Sequence, residues 1–467
     1  LVGSEMCIRD REIYESAIVA TNGWVENYYK RLYATIYLAN LVIERFDAAE
    51  SEVKARNIAE AKFFRAICYF ELTTLWGTPP LVDRVLKNSE EYKVPNSTAE
   101  QLWKFMETDL TEAITSGKLT SKTSLEDRDG GTRATLEAAR CLLGKIYLYQ
   151  EKYADAKSEL EKVISSGKYD LIADVSTFYH PASAGCKEYV LECVRHYDPS
   201  NMYSQEGWFG ILANWGFGYG FIAGPEASMH YKFNTTSGYS YFNPSKSLYD
   251  AFVAEEGADG YRLNAWIRTW EQVIAMNIAV NTTTNKYASE GYFRLKWLAS
   301  TDDEFVGYWC GNQSNTPVIR YADVLLMAAE ACLQAGDQAG ADEYLGRVRD
   351  RARLPRKSHV TLSDIKLERR LELAMEGMRF QDLKRWGDAP AVLADKGKKL
   401  PTFQIVPDPN NDLTTAAGIY NARYTTKTTY VDNEKSLAGW TPNRDEWLPF
   451  PENELEVNSN LKQNPGY

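Results

Sequence analysis

Apolar residues recur every three or four positions over long stretches of this chain. In the first such stretch they are Trp24, Tyr28, Leu32, Ile36, Ala39, Ile43 and Phe46. This spacing predicts an amphipathic helix. A second helix is predicted from about 53 to 76, because Ser51 can cap its start and Gly77 and Pro79 end it. The two helices are expected to pair antiparallel.

A helical-hairpin pattern occurs twice with the same internal spacing. Small residues mark the helix crossings and larger apolar residues follow on the same face: Gly144, Tyr147, Ala156, Leu160 and Val163 in the first copy, and Ala329, Cys332, Ala341, Leu345 and Val348 in the second. Unrelated hairpins also favour small residues at crossings, but a turn in the right place in both copies favours a tetratricopeptide-like repeat. A single pair cannot bury its apolar face, so other helices must complete the stack.

Helical periodicity is lost between about 170 and 317. The stretch from 197 to 242 contains 13 aromatic residues interspersed with glycines, and glycine disfavours a helix. We predict long loops with short strands or helical turns, inserted between two helical parts. A second aromatic group follows at Trp266, Trp270, Tyr292, Phe293, Trp297, Tyr308 and Trp309.

This glycine- and aromatic-rich insertion is the predicted ligand site. A sugar can place its C–H face on an aromatic ring, while its hydroxyls bond to polar side chains. Trp208 and Trp215 are the first candidates because each lies beside a glycine, and Tyr219, Trp309 and Asn214 follow. The alternative is that most of these rings form the core of a loop-rich layer.

Charged residues are dense between 369 and 385. Glu372, Glu376, Arg379 and Asp382 are spaced to share one helix face. Paired carboxylates can act as general acid and base. Neighbouring arginines, however, keep carboxylates ionised, so a structural row of ion pairs is the favoured interpretation.

Composition limits the function classes. The chain has 467 residues and a formal net charge of −11, which disfavours nucleic acid as a partner. Seven cysteines and four histidines show no metal-ligand spacing. No catalytic motif stands out, so we expect no metal, no cofactor and no enzymatic activity. Glu206, Glu226 and Asp250 remain conceivable carboxylates of a glycoside hydrolase.

Four segments resemble those of SusD/RagB-like outer-membrane nutrient-binding lipoproteins. They are AEAKFFRAICYFELTTLWGTPPL, RYADVLLMAAEA, RRLELAMEGMRFQDLKRWG and WLPFPENELEVNSNLKQNPGY, in the order in which the family has them. The resemblance implies a mainly α fold: a tetratricopeptide-like scaffold of helical pairs (about 24–170 and 318–387), a loop-rich insertion (about 171–317) and a loop-rich tail (388–467), together one domain from 12 to 467.

The resemblance also implies a function. Such a protein captures oligosaccharides or polysaccharides at the cell surface and delivers them, uncleaved, to a SusC-like TonB-dependent transporter. Its expected location is the outer membrane, through a lipid anchor. A peptide-binding relative, a glycoside hydrolase and a helical-repeat scaffold are the alternatives. Residues 1–11 fit nothing in the family, and Cys7 does not follow the small and apolar residues expected before a lipidated cysteine, so we expect this segment to be foreign to the fold.

Overall fold

The fold is mainly helical, as predicted. A computed structural model describes residues 18–194, 244–269, 271–272, 286–287, 290–296, 315–412, 414–415, 423–433 and 438–467. Its α-helices are α1 Gly23–Arg45, α2 Glu52–Trp76, α3 Ala99–Thr115, α4 Leu136–Tyr149, α5 Tyr153–Ser165, α6 Lys246–Glu256, α7 Tyr261–Trp266, α8 Tyr321–Gln334, α9 Gln338–Arg351, α10 Leu362–Glu372, α11 Arg379–Arg385, α12 Ala389–Val392 and α13 Glu452–Val457. The strands are β1 Tyr189–Cys193, β2 Ile267–Thr269, β3 Lys286–Tyr287, β4 Tyr292–Arg294, β5 Thr316–Arg320, β6 Lys399–Pro407 and β7 Tyr424–Asp432.

Helices α1 to α5 and α8 to α9 form one continuous stack. Each helix packs on the next, and α5 packs on α8 although the insertion separates them along the chain. The predicted repeat is confirmed, since α4–α5 and α8–α9 are both helical hairpins. At the first crossing, a Cβ on Gly144 would lie 2.8 Å from Leu160 Cγ. Glycine therefore lets α4 and α5 approach closely.

The helix starts follow from capping chemistry. The Ser51 side chain accepts a hydrogen bond from the backbone of Lys54 at the start of α2. At the start of α3, Thr98 and Gln101 form a reciprocal capping box. These side chains bond N–H groups that have no partner inside the helix. The Ser51 cap confirms the start predicted for the second helix.

The insertion leaves and rejoins the scaffold through paired strands. β1 and β5 are antiparallel, with Tyr189 opposite Arg320 and Cys193 opposite Thr316. Within the described part of the insertion, α6 is longer than the helical turns that we predicted. Ser245 caps it, and Phe252 is buried in a small second core with Trp266, so packing stabilises this helix.

The predicted common face of Glu372, Glu376, Arg379 and Asp382 is wrong. The helix α10 ends at Glu372 and α11 begins at Arg379. Between them, Met375 and Gly377 have φ values of 64° and 85°. These left-handed conformations interrupt a helix. Glu372 and Glu376 consequently join one ion-pair group and Asp382 another.

The C-terminal tail closes the end of α2. The last four carbonyls of α2, those of residues 73–76, all accept hydrogen bonds. In chain order, their donors are the backbone of Gly77, Lys384 Nζ, the backbone of Leu448 and Asn464 Nδ2. A buried helix end requires such partners. The tail, predicted to be loop-rich, also contains the hairpin β6–β7, with nine residues in each strand. No helix among the described residues is long and apolar enough to cross a membrane.

Candidate functional site

The five predicted ligand residues lie outside the described residues. They are Trp208, Asn214, Trp215, Tyr219 and Trp309. Their role stays a prediction. The described residues of the insertion, 244–269 and 290–296, nevertheless show how it is held and what side chains it presents.

A buried arginine–glutamate cluster joins the insertion to the scaffold. Its members come from β5, α6, α7, α9, α10, the segment after α10 and the segments beside β1 and β4: Glu188, Glu256, Arg262, Lys296, Arg320, Arg349, Arg351, Glu368, Glu372 and Glu376. Arg320 Nη1 donates to Glu188 at 2.6 Å and to Glu372 at 3.1 Å. Arg262 Nη1 donates to Glu368 at 2.6 Å and to Glu372 at 3.0 Å.

Electrostatics in this cluster favour a structural role. Burial raises the pKa of Glu372, but the guanidinium groups of Arg351, Arg320 and Arg262 outweigh burial and hold the pKa well below its ordinary value. Burial raises the pKa of Glu188 and Glu256. Both carboxylates are bonded to arginines, however, and neither side chain has exposed surface. None of these three carboxylates can therefore reach a substrate.

A second buried group of ion pairs lies on the scaffold side. Arg369 Nη1 donates to Asp323 at 2.7 Å, and its Nε donates to Asp382 at 3.0 Å. Arg385 bonds both Asp382 and Glu330. The structural interpretation of these charges is thus correct, although they are arranged across three helices and not along one face.

A cluster of tyrosines lies where α6, β4 and β7 converge. The rings of Tyr249 and Tyr292 are stacked, with centroids 4.5 Å apart and an angle of 27° between their planes. Tyr430 donates its hydroxyl proton to Glu290 Oε1 at 2.6 Å. We call Tyr249, Tyr292, Tyr430 and Glu290 the tyrosine cluster. Tyr249 and Tyr292 are half-buried, and Tyr430 is 48% exposed.

Local backbone geometry positions the tyrosine cluster. Gly291 has a φ of 89°, and a Cβ there would lie 2.5 Å from the ring of Phe403 on β6. Only glycine allows this close approach. The backbone N–H of Lys246 donates to Glu290, which fixes this carboxylate at the start of α6. Burial and the Glu290 carboxylate raise the pKa of Tyr430 to about 12, so its hydroxyl stays protonated as a donor.

The tyrosine cluster has the chemistry of a carbohydrate-binding surface. Aromatic rings supply apolar faces with polar edges, and Glu290 adds acceptor oxygens. Asp250, one of the conceivable hydrolase carboxylates, is paired with Lys246 at 2.6 Å on the exposed side of α6. Glu206 and Glu226 lie outside the described residues.

Two other groups contain side chains of the types that bind cations. Oxygen and sulfur atoms of Glu161, Cys332 and Asp337 lie within 4.8 Å of one another, beside an open groove of about 660 Å³ between α5 and α9. Lys157 Nζ already lies 2.5 Å from Asp337 and supplies the positive charge there. The acidic stretch at Asp408 forms an Asx turn, in which Asp408 accepts from the backbone of Asn410.

Sequence reasoning found only part of the tyrosine cluster. Tyr292 belongs to the second aromatic group, but Tyr249 and Tyr430 were not predicted, because neither lies beside a glycine. Glu290 directly precedes Gly291 and Tyr292. This Glu-Gly-Tyr sequence was the available signal, because a glycine beside an aromatic residue lets the backbone turn the ring outward.

Comparison with known proteins assigns the family. A family model described as "SusD family" matches residues 187–467, more than half of the chain. The chain belongs to the SusD family. A second model, described as "Starch-binding associating with outer membrane", matches residues 6–148 of this SusD family member. Similar relatives include a SusD-like protein of Bacteroides ovatus (25% identity, covering 93% of this chain and 79% of the relative) and SusD-like protein P2 of Formosa agariphila (26% identity, 98% and 84%).

Solved structures agree with the family assignment. A laminarin-binding SusD-like protein superposes with a TM-score of 0.72 at 25% identity, covering all of this chain and 98% of the other. Surface glycan-binding protein A of Bacteroides thetaiotaomicron, solved with laminarihexaose, superposes with a TM-score of 0.68 at 23% identity, covering 94% and 85%. At 23% identity, the second likeness concerns the fold alone.

The four segments that carry the family resemblance interlock in the scaffold. Trp76 Nε1 donates to Pro449 O at 2.9 Å, which joins the first segment to the last. Gln381 Nε2 donates to Thr74 Oγ1 at 2.9 Å, joining the third segment to the first. Arg369 of the third segment bonds the second, as described above. The segments that carry the resemblance of this SusD family member therefore form part of its framework.

Proposed function

We propose that this SusD family member binds a neutral glycan on its insertion side and transfers it uncleaved to a TonB-dependent transporter of the outer membrane. The observation that carries the proposal is the tyrosine cluster, a half-exposed stack of rings beside a fixed carboxylate. Two of the solved relatives are described with laminarin or laminarihexaose, so these glycans are the first probes.

Binding can be tested by isothermal titration of laminarihexaose into wild type, Tyr430→Ala and Tyr37→Ala proteins. Tyr37 on α1 is a matched control, because both tyrosines are 48% exposed and only Tyr430 belongs to the tyrosine cluster. Loss of a ring that contacts the sugar removes about 1 kcal/mol or more, so Tyr430→Ala is expected to weaken binding about tenfold. Equal affinities of all three proteins would contradict this placement of the site.

The transport role has a separate test. Incubation of laminarin with the wild-type protein is expected to produce no new reducing ends. The buried carboxylates described above are bonded to arginines and are therefore not free to act as general acid or base. In outer membranes of the native host, it is expected to co-purify with a TonB-dependent transporter. Cleavage of laminarin would favour the hydrolase alternative, and selective retention of peptides over glycans on an array would favour the peptide-binding one.

A further inference from the structure

The hairpin β6–β7 extends beyond the tyrosine cluster. Its strands pair over nine residues without a bulge, from Lys399 opposite Asp432 to Pro407 opposite Tyr424. Side chains directly opposite each other share a face of the hairpin. One face therefore carries Thr426, Thr428 and Tyr430 on β7, and we call these three residues the threonine face.

The threonine face is continuous with the tyrosine cluster. Tyr430 bonds Glu290 at 2.6 Å, and Phe403, opposite Thr428, packs against Gly291. Residues two apart on a strand lie about 7 Å apart, so the three side chains form a row about 14 Å long. From Tyr430 the row continues along β7 to Thr426.

The side chains of this face are available to a ligand. Thr428 and Tyr430 are exposed and Thr426 is half-buried. Within the described part of the chain, the hydroxyls of Thr426 and Thr428 have no hydrogen-bond partner, whereas on the opposite face Thr425 Oγ1 donates to Val406 O at 3.4 Å. A threonine hydroxyl both donates and accepts, as a sugar hydroxyl does.

The edge position of β7 is also informative. The strand order is β3–β6–β7, so β7 is an edge strand among the described residues. Long, flat edge strands promote association with other chains, and a lysine on the edge blunts this tendency. Lys427 lies on the opposite face, between Thr425 and Thr429, so none of the three residues of the threonine face is charged; Asp432, the next residue on that face, is paired with Lys399 at 3.7 Å. An uncharged row of hydroxyls suits a neutral glycan better than a charged peptide.

We propose that the threonine face extends the glycan site, so that the protein prefers a long glycan chain to a short oligosaccharide. The inference rests on the proposed function. Sugars bound at the tyrosine cluster continue along β7, and their hydroxyls bond Thr426 and Thr428. The added contacts raise the affinity only for chains that reach beyond Tyr430.

The test compares two double variants of the same strand. Thr426→Val with Thr428→Val removes the hydroxyls of the threonine face while keeping side-chain shape and strand propensity. Thr425→Val with Thr429→Val makes the same two changes on the opposite face. Affinities for laminarin and laminarihexaose are measured for wild type and both double variants, together with their melting temperatures.

The threonine-face variant is expected to bind laminarin about tenfold more weakly than wild type does, because two hydrogen bonds are lost. It is expected to bind laminarihexaose nearly as well as wild type does. The opposite-face variant is expected to match wild type with both probes. Equal effects of the two variants, or equal wild-type affinity for the two probes, would overturn the inference while leaving the proposed function standing. A stable dimer that covers the threonine face in sedimentation experiments would overturn it too. Failure of wild type to bind either probe contradicts the proposed function itself.

Discussion

At the scale of single residues, the buried Lys384 has a strongly lowered pKa. Lys384 donates to the carbonyl of Thr74 and to that of Glu446, the latter at 2.7 Å. Its ammonium group lies 4.4 Å from the ring centre of Trp447 and 4.9 Å from that of Phe380. Burial lowers the pKa of Lys384 from 10.5 to about 7, and the charge of Glu446 opposes this shift only in part. The carbonyls and ring faces therefore hold this lysine as a cation only below about pH 7.

The shift of Lys384 predicts a pH-dependent stability. The unfolded chain keeps the lysine proton up to about pH 10.4, whereas the folded protein releases it near pH 7. The unfolded state binds more protons across this window, so the free energy of unfolding should rise with pH by about 1 kcal/mol per unit. Urea unfolding of wild type and Lys384→Met between pH 7 and 9 measures this pH dependence. The free energy of unfolding of the variant should lack the increase with pH that Lys384 contributes. Parallel curves would show that Lys384 stays charged.

At the scale of elements, the helical hairpins were the most predictable feature. Spacing alone located both copies, because a helix buries one face at a fixed period and close crossings require small residues. The interruption between Glu372 and Arg379 was not predictable from charge spacing, since Met375 adopts a left-handed conformation that residues other than glycine rarely take. The β6–β7 hairpin was only partly predicted, because its exposed strands lack the alternation of a half-buried sheet.

The close crossing of α4 and α5 gives a test at this scale. Gly144→Ala adds a Cβ against the buried Leu160, and overpacking typically costs about 1–3 kcal/mol. The better helix propensity of alanine stabilises the helix by up to about 1 kcal/mol. We therefore expect urea unfolding to show a net decrease of about 1 kcal/mol in the free energy of unfolding. Gly23→Ala is the control, because nothing lies within 4 Å of a Cβ there and its stability should be unchanged or slightly higher. A Gly144→Ala protein as stable as Gly23→Ala would show that the crossing has room for a methyl group.

For the whole molecule, the arginine–glutamate cluster fixes the insertion on its scaffold. Its positive charges come from both sides of the junction: Arg262 and Lys296 belong to the insertion, whereas Arg349 and Arg351 belong to α9. Sequence reasoning identified charged residues on α10 but not their partners in this cluster, because these lie on other elements of the chain; Arg320, for example, lies 52 positions before Glu372.

Loss of one central carboxylate should destabilise the molecule strongly. Glu372→Gln leaves Arg262, Arg320 and Arg351 without a full counter-charge, and breaking a buried pair typically costs about 3–5 kcal/mol. Glu343→Gln is the matched control, because Glu343 pairs with Arg356 at 2.6 Å with half of its side chain exposed. Such surface pairs contribute about 0–1 kcal/mol. Similar unfolding free energies for the two variants would mean that the cluster does not hold the insertion in place.

The pairing of β1 with β5 has a consequence for how such proteins diversify. The two ends of the insertion are neighbouring strands, with Cys193 opposite Thr316. The distance between these ends is therefore the same for any sequence that connects them. Loop-closure cost grows only slowly with length. An ancestor could therefore exchange or lengthen the sequence between Cys193 and Thr316, keep Arg262 and Lys296 as anchors, and acquire a new sugar specificity on an unchanged framework.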